Sequence, residues 1–205
     1  KTITTGEGGM ITFNNKKDYE KAKAWHDHGH ENNPNVPRWE DTRSSSGFNY
    51  RMSELQGAVG IVQLSKINTI LKNQKNNKKE IWNKIKDIEG IEPRKVPINS
   101  NDSCDALVFF VPSKKIAIKC RKELLKIKIS TKILPEATKW HFAKEWEHMP
   151  ELIKFHKSGL KKSFPLSSSF INRAVALPIS AVKSNNESNK IKSVLTKVLR
   201  VKLSK

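Results

Sequence analysis

A helical pattern running from Ser53 to Gly90 constrains this chain more than any other feature. Leu55, Ala58, Val59, Val62, Ile67, Ile70 and Leu71 recur at the three- and four-residue spacing of one helix face. A further helical stretch through Ile81, Trp82, Ile85 and Ile88 carries the pattern to Gly90. Ser53 and Gln56 stand at capping-box spacing, which predicts a helix start at Ser53. Small residues at Gly57, Ala58 and Gly60 allow another backbone to approach closely. After Pro93 the period changes. Residues 106–111 read as a buried strand, 113–126 as an amphipathic helix and 127–134 as another strand. Residues 170–179 read as a loop or helix end running into a strand, and 187–203 as a closing helix on Ile191, Val194, Leu195, Val198 and Leu199. This alternation predicts an α/β class, with a small domain beginning near residues 85–92 and joined by the helix to what precedes it. No internal repeat interrupts the series.

Upstream of the helix the pattern is shorter and more polar. Residues 2–5 and 10–13 are β-branched or apolar runs separated by Gly6-Glu7-Gly8-Gly9, which predicts strand, glycine turn, strand. Residues 16–26 predict a helix with Tyr19, Ala22, Trp25 and His26 near one face, and Gly29 is placed to help end it. Residues 31–48 form a polar loop with Pro34, Pro37 and three consecutive serines. Loops of that length in compact domains are commonly functional or disordered, and this one carries Arg38, Trp39, Asp41 and Arg43. An opening strand at residue 1, without Met, leads us to expect a chain cut out of a longer one.

With 205 residues the chain can bury one good core, or a small domain and part of a second. No stretch approaches the roughly 18 apolar residues of a membrane helix, and the start is not a signal peptide. Cys104 and Cys120 lack metal-like or redox-like spacing, so no disulfide framework is expected and a cytoplasmic location is the default. The net charge of +19 has two readings. A basic nucleic-acid-binding module or a protein bound to anionic membrane would need it. A lysine-biased, solvated surface also produces it, and this is the preferred reading. Lysine greatly outnumbers arginine, the lysines are spread along the chain, and no aromatic series interleaves with them as a stacking platform. Neither nucleic acid nor membrane is therefore expected as a partner.

Two segments carry candidate chemistry. In Lys1-Thr2-Ile3-Thr4-Thr5-Gly6-Glu7-Gly8-Gly9, a lysine precedes a glycine-rich turn. Such a lysine can form a Schiff base if desolvation or a neighbouring cation lowers its pKa, although an isolated lysine beside a glycine turn is usually a surface hairpin. In the stretch from Trp25 to Pro34, three histidines and two acids cluster: His26, Asp27, His28, His30 and Glu31. Zinc could use such groups, but alternation at a helix end scatters them, and no metal site is expected. A substrate-binding loop containing His28, His30 and Arg43 fits better, with plain surface and capping roles as the alternative.

The run KTITTGEGGMITFNN closely resembles the signature of the DegT/DnrJ/EryC1/StrS family of sugar aminotransferases. Gly47-Phe48-Asn49-Tyr50-Arg51-Met52, leading into Ser53-Glu54-Leu55-Gln56, resembles that family's second signature. The detailed match covers about residues 1–70; beyond it the likeness lies mainly in the α/β pattern. The resemblance implies the C-terminal portion of a fold-type I, pyridoxal 5'-phosphate-dependent enzyme. Residues 1–52 would end the large cofactor domain, 53–90 form the connecting helix region, and 91–205 the small C-terminal domain. Lys1 would be the catalytic lysine that holds the cofactor as a Schiff base and moves protons. Asn49 would reach the cofactor phosphate of the neighbouring subunit, with Arg51 close by, so a homodimer with composite sites is implied. His-Gly after the first helix recurs in that family near the substrate pocket. The acid paired with the pyridine nitrogen, the residue stacked on the ring and further phosphate ligands lie upstream in relatives. This chain alone is therefore expected to lack a complete site and activity.

The implied reaction moves an amino group from a donor, taken as L-glutamate, to a keto- or aldo-sugar in cell-surface polysaccharide or lipopolysaccharide biosynthesis. Members that carry histidine in place of the lysine act as dehydratases, so Lys1 favours amino transfer over a sugar dehydratase on the same scaffold. The His-rich loop ending in Asp41-Thr42-Arg43 most resembles the subgroup that aminates C8 of a keto-deoxyoctulosonate, giving 8-amino-3,8-dideoxy-manno-octulosonate. Arginines there suit a substrate carboxylate. Leu134-Pro135-Glu136-Ala137-Thr138-Lys139-Trp140-His141 departs from the Pro-Leu-His stretch of nucleotide-sugar members. His141 is the remaining substrate candidate; with Trp140, Trp146 and His148 it either flanks a pocket or packs.

Overall fold

The computed structural model describes residues 2–182 and 186–200, apart from the side chain of Trp140. Lys1 lies outside the described residues. Contacts divide the chain into two compact units, Lys1–Ile67 and Asn68–Lys205.

The first unit is built around two helices and the chain between them. Helix α1 (Lys16–Trp25) starts where the Asn15 side chain accepts from the Asp18 N–H at 2.8 Å. It ends in a turn in which Gly29, at φ +83°, donates its N–H to the Ala24 carbonyl at 2.7 Å. Helix α2 (Glu54–Ser65) starts at Ser53 with both halves of the expected capping box in place. The expected strands over 2–5 and 10–13 do not form; both runs are irregular. β-Branched residues suit a pleated, half-buried surface, but a strand exists only where another pairs with it, and none of the described residues does.

Helix α3 (Ile67–Ile85) leads into the second unit. The helical region expected over 53–90 is thus two helices, with Lys66 closing α2 through a bond from its N–H to the Gln63 carbonyl at 3.2 Å. Strands β1 (Glu92–Pro93), β2 (Ala106–Phe110) and β3 (Ala174–Pro178) form an antiparallel sheet in the order β1-β2-β3. Its register sets Glu92 opposite Phe110, and Ala106 opposite Pro178. Pro93 is tolerated because β1 is an edge strand.

Helix α4 (Lys114–Lys126) is capped by Ser113 and buries Ile116, Ala117, Cys120 and Leu124, one stripe at helical spacing. Short helices α5 (Thr138–His141) and α6 (Pro150–Phe155) follow, then α7 (Pro165–Arg173), which feeds directly into β3. Helix α8 (Glu187–Arg200) closes the unit by burying Ile191, Leu195, Val198 and Leu199. The core gathers Phe109 of β2, Leu177 of β3, Leu124 of α4 and Leu195 of α8, with Ile85 of α3. Each fully buried side chain of this size contributes roughly 1.5–3 kcal/mol through lost apolar exposure. Both cysteines are buried and free, and burial pushes the Cys120 thiol up to about 12.

The strand expected over 127–134 does not form either. Among the described residues its backbone bonds to the sheet through the Lys132 N–H, which donates to the Ala176 carbonyl at 2.8 Å. Lys128 at φ +62° turns the chain before a ladder can start. The closing helix is described to Arg200, so the last residues of the expected 187–203 span lie outside the described residues. Among the described residues no helix is long and apolar enough to cross a membrane.

Candidate active site

The His-rich stretch folds against the segment that leads into the second signature. Residues 26–31 run antiparallel to 42–50. The Glu31 N–H donates to the Thr42 carbonyl at 3.0 Å, and the Ser44 N–H donates to the Gly29 carbonyl at 3.0 Å. Beyond a change of register at residues 45–47, the His28 N–H donates to the Phe48 carbonyl at 3.1 Å and the Tyr50 N–H to the His26 carbonyl at 2.8 Å. Asp27 stands opposite Asn49, and His30 opposite Arg43. Glycine makes the closeness possible. A Cβ at Gly47 would overlap the Trp25 carbonyl oxygen, and one at Gly29 the Ser45 carbonyl oxygen. Trp25, Phe48 and Tyr50 pack together, the Trp25–Phe48 ring centroids lying 5.2 Å apart edge to face.

Acidic side chains order the connecting loop. Asp27 is 3% exposed, and its Oδ1 accepts from Arg38 Nη2 at 2.6 Å and from Arg51 Nη1. The Arg38 hydrogen bond, seconded by Arg51 against the cost of burial, holds the Asp27 carboxyl down at about 2. Asp41 accepts from the Asn32 N–H at 2.8 Å and the Asn33 N–H at 3.1 Å, and its Oδ2 faces His30 Nδ1 at 3.2 Å. Burial opposes ionisation of Asp41, but the two backbone N–H groups and His30 outweigh it and lower its pKa. Glu31 accepts from the Thr42 hydroxyl at 2.6 Å. The loop is fixed by its own polar groups.

Four of the candidate residues therefore share one ladder, and Arg51 follows directly after it. Asn49 is exposed, and its side-chain amide makes no hydrogen bond among the described residues. Arg51 lies two positions along, on the same face, with one guanidinium nitrogen on Asp27. His28 is exposed at φ +56°, His30 is buried against Asp41, and Arg43 is exposed opposite His30. His141 lies in α5 of the other unit. The histidines and acids do not converge. His26 Nδ1 turns back to the Lys23 carbonyl, Asp27 takes arginines, and His30 takes Asp41. Sequence reasoning missed Asp27 as the organising group, because its partners stand 11 and 24 residues away with no periodic signal between them.

The donor set on this face suits the phosphate of pyridoxal phosphate. It offers the exposed Asn49 amide and the remaining N–H groups of Arg51, beside the already paired Asp27.

Comparison with known proteins gives the family. The model of the DegT/DnrJ/EryC1/StrS aminotransferase family matches residues 1–198. The GDP-perosamine synthase of Caulobacter vibrioides is 44% identical over 67 residues, which are 33% of this chain and 17% of that protein. The GDP-perosamine synthase of Vibrio cholerae is 28% identical over 182 residues, 87% of this chain and 44% of that protein. Helicobacter pylori PseC, an aminotransferase involved in the biosynthesis of pseudoaminic acid, superposes with a TM-score of 0.75 at 21% identity, over 98% of this chain and 51% of its own. The chain thus spans about half, or less, of the length of these relatives. With the family model running nearly end to end, the chain belongs to the DegT/DnrJ/EryC1/StrS aminotransferase family.

Proposed function

We propose that the protein is a pyridoxal phosphate-dependent sugar aminotransferase that moves an amino group from L-glutamate to a sugar carbonyl. The observation that carries this reading is the pairing of residues 26–31 with 42–50, which sets Asn49 and Arg51 on one face beside the paired Asp27. When bound, pyridoxal phosphate supplies the electron sink that makes the donor α-proton acidic. The chain's own residues bind and move protons. Asn49 and Arg51 hold the phosphate through charge-assisted hydrogen bonds. Lys1, which stands where the family match begins, would anchor the coenzyme through its Nζ and, once the donor amine has displaced it, would take the proton from the donor α-carbon.

The sugar lies along the loop that carries His28, His30 and Arg43. Arg43 is exposed, and its side chain pairs with no described residue, which suits the carboxylate of a sugar acid such as a keto-deoxyoctulosonate aminated at C8. The names of the relatives point instead to nucleotide-linked sugars. A homodimer with shared sites completes the reading. Helix α2 buries none of its residues and leaves Leu55 82% and Ile61 73% exposed, an apolar surface that calls for cover.

The test is amino transfer by the full-length protein loaded with pyridoxal phosphate. With L-glutamate and a panel made of the C8-aldehyde form of keto-deoxyoctulosonate and nucleotide-linked keto-sugars, 2-oxoglutarate and an amino-sugar are expected to form in equal amounts. Loss of water from the sugar without consumption of glutamate would instead identify a dehydratase.

A further inference from the structure

We propose that Asp27 is a positioning residue for the phosphate-holding face: by gathering Arg38 and Arg51 on one carboxylate oxygen, it sets where Arg51 and Asn49 meet an anion. This rests on the reading that the protein binds pyridoxal phosphate.

Three observations support it. Asp27 is buried, and its Oδ1 takes both guanidinium groups, which come from separate parts of the chain. Its backbone stands opposite that of Asn49, so acid, amide and guanidinium share one face of the ladder. Finally, Arg38 belongs to the loop between the paired segments, so the same oxygen ties that loop to the phosphate-holding residues. Two guanidinium groups this close repel each other, and a carboxylate between them lets both stay. With the carboxylate ionised, the three side chains carry a net single positive charge. The carboxylate held at about 2 stays ionised at every pH at which the enzyme would work.

Charge and position predict opposite signs. If only net charge mattered, removing the carboxylate would raise the local positive charge and tighten phosphate binding. If Asp27 positions Arg51, removing it frees the guanidinium and weakens phosphate binding despite the added charge. The weakening should be confined to the phosphate end of the cofactor.

The experiment measures equilibrium binding of pyridoxal 5'-phosphate and of pyridoxal, which lacks the phosphate, to the full-length protein. Wild type is compared with Asp27→Asn, Asp27→Glu, Arg51→Gln and the Asp27→Asn/Arg51→Gln double variant. Asp27→Asn should weaken pyridoxal phosphate about tenfold, the loss of one charge-assisted contact, and leave pyridoxal unchanged. In the Arg51→Gln background it should add nothing further. Unchanged or tighter binding of pyridoxal phosphate by Asp27→Asn overturns the proposal, and so does an equal loss for both ligands. If Asp27→Asn does not fold, Asp27→Glu keeps the charge but moves it; a ratio of the two affinities equal to wild type overturns the proposal. Failure of wild type itself to bind pyridoxal phosphate would overturn the underlying reading instead.

Discussion

The side chain of Gln56 donates its Nε2 hydrogen to the Glu7 carbonyl at 2.9 Å, across 49 residues of chain. Its Oε1 meanwhile accepts from the Ser53 N–H at 3.0 Å, completing the capping box of α2. One amide thus starts the helix and fastens the glycine turn at residues 6–9 to it. Gln56→Ala removes both contacts and should lower stability by about 1 kcal/mol in chemical denaturation. Gln56→Glu keeps an acceptor for the Ser53 N–H but loses the donor to Glu7, so its loss should be smaller.

Gly47 matters for a different reason. Its Cα lies so close to the Trp25 carbonyl that any side chain there would push residues 26–31 and 42–50 apart. Gly47→Ala should cost more than about 2 kcal/mol and loosen the Trp25–Phe48–Tyr50 packing. Near-ultraviolet circular dichroism reads that packing directly. An unperturbed aromatic spectrum in a stable Gly47→Ala protein would show that the ladder tolerates a side chain.

Asp27 gives acid sensitivity of a defined sign. Its folded pKa of about 2 lies below the ordinary 3.8, so the stabilisation is fully present above the ordinary value. As the pH falls below that value the unfolded chain takes up the proton first, and the contribution is gone once the folded carboxyl also protonates near 2. Screening by water around the two half-exposed guanidinium groups trims the size to on the order of 1–2 kcal/mol. Urea midpoints at pH 6 and pH 3 should therefore fall more steeply in wild type than in Asp27→Asn. Parallel declines in the two proteins would contradict the assignment.

In the second unit the equivalent test is packing. Leu124 is fully buried between α4 and the rest of the core, and Leu124→Ala should destabilise by about 2–5 kcal/mol. A loss well under 1 kcal/mol would mean that α4 is not held as described.

Much of this was legible in the sequence where a local signal existed. Ser53 and Gln56 announced the start of α2, Ser113 that of α4, and the apolar stripe Ile191, Leu195, Val198 the inward face of α8. The signature around Asn49 and Arg51 was readable as a motif. What failed depended on distant partners. The runs at 2–5 and 127–134 have strand-forming residues, yet a strand needs a neighbour that local composition does not specify. The break between α2 and α3 at Lys66 falls inside a continuous helical pattern with no proline or glycine to mark it. The Asp27 clamp, the pairing of His30 with Asp41 and the change of register at residues 45–47 likewise join residues whose spacing follows no period.

Reductive trapping decides whether Lys1 carries the cofactor, as proposed. The full-length protein, loaded with pyridoxal phosphate and treated with borohydride, is digested and its peptides weighed. A phosphopyridoxyl group on Lys1, absent when L-glutamate is added before reduction, is the predicted result. Trapping on a different lysine, or none in a folded protein, would contradict the account.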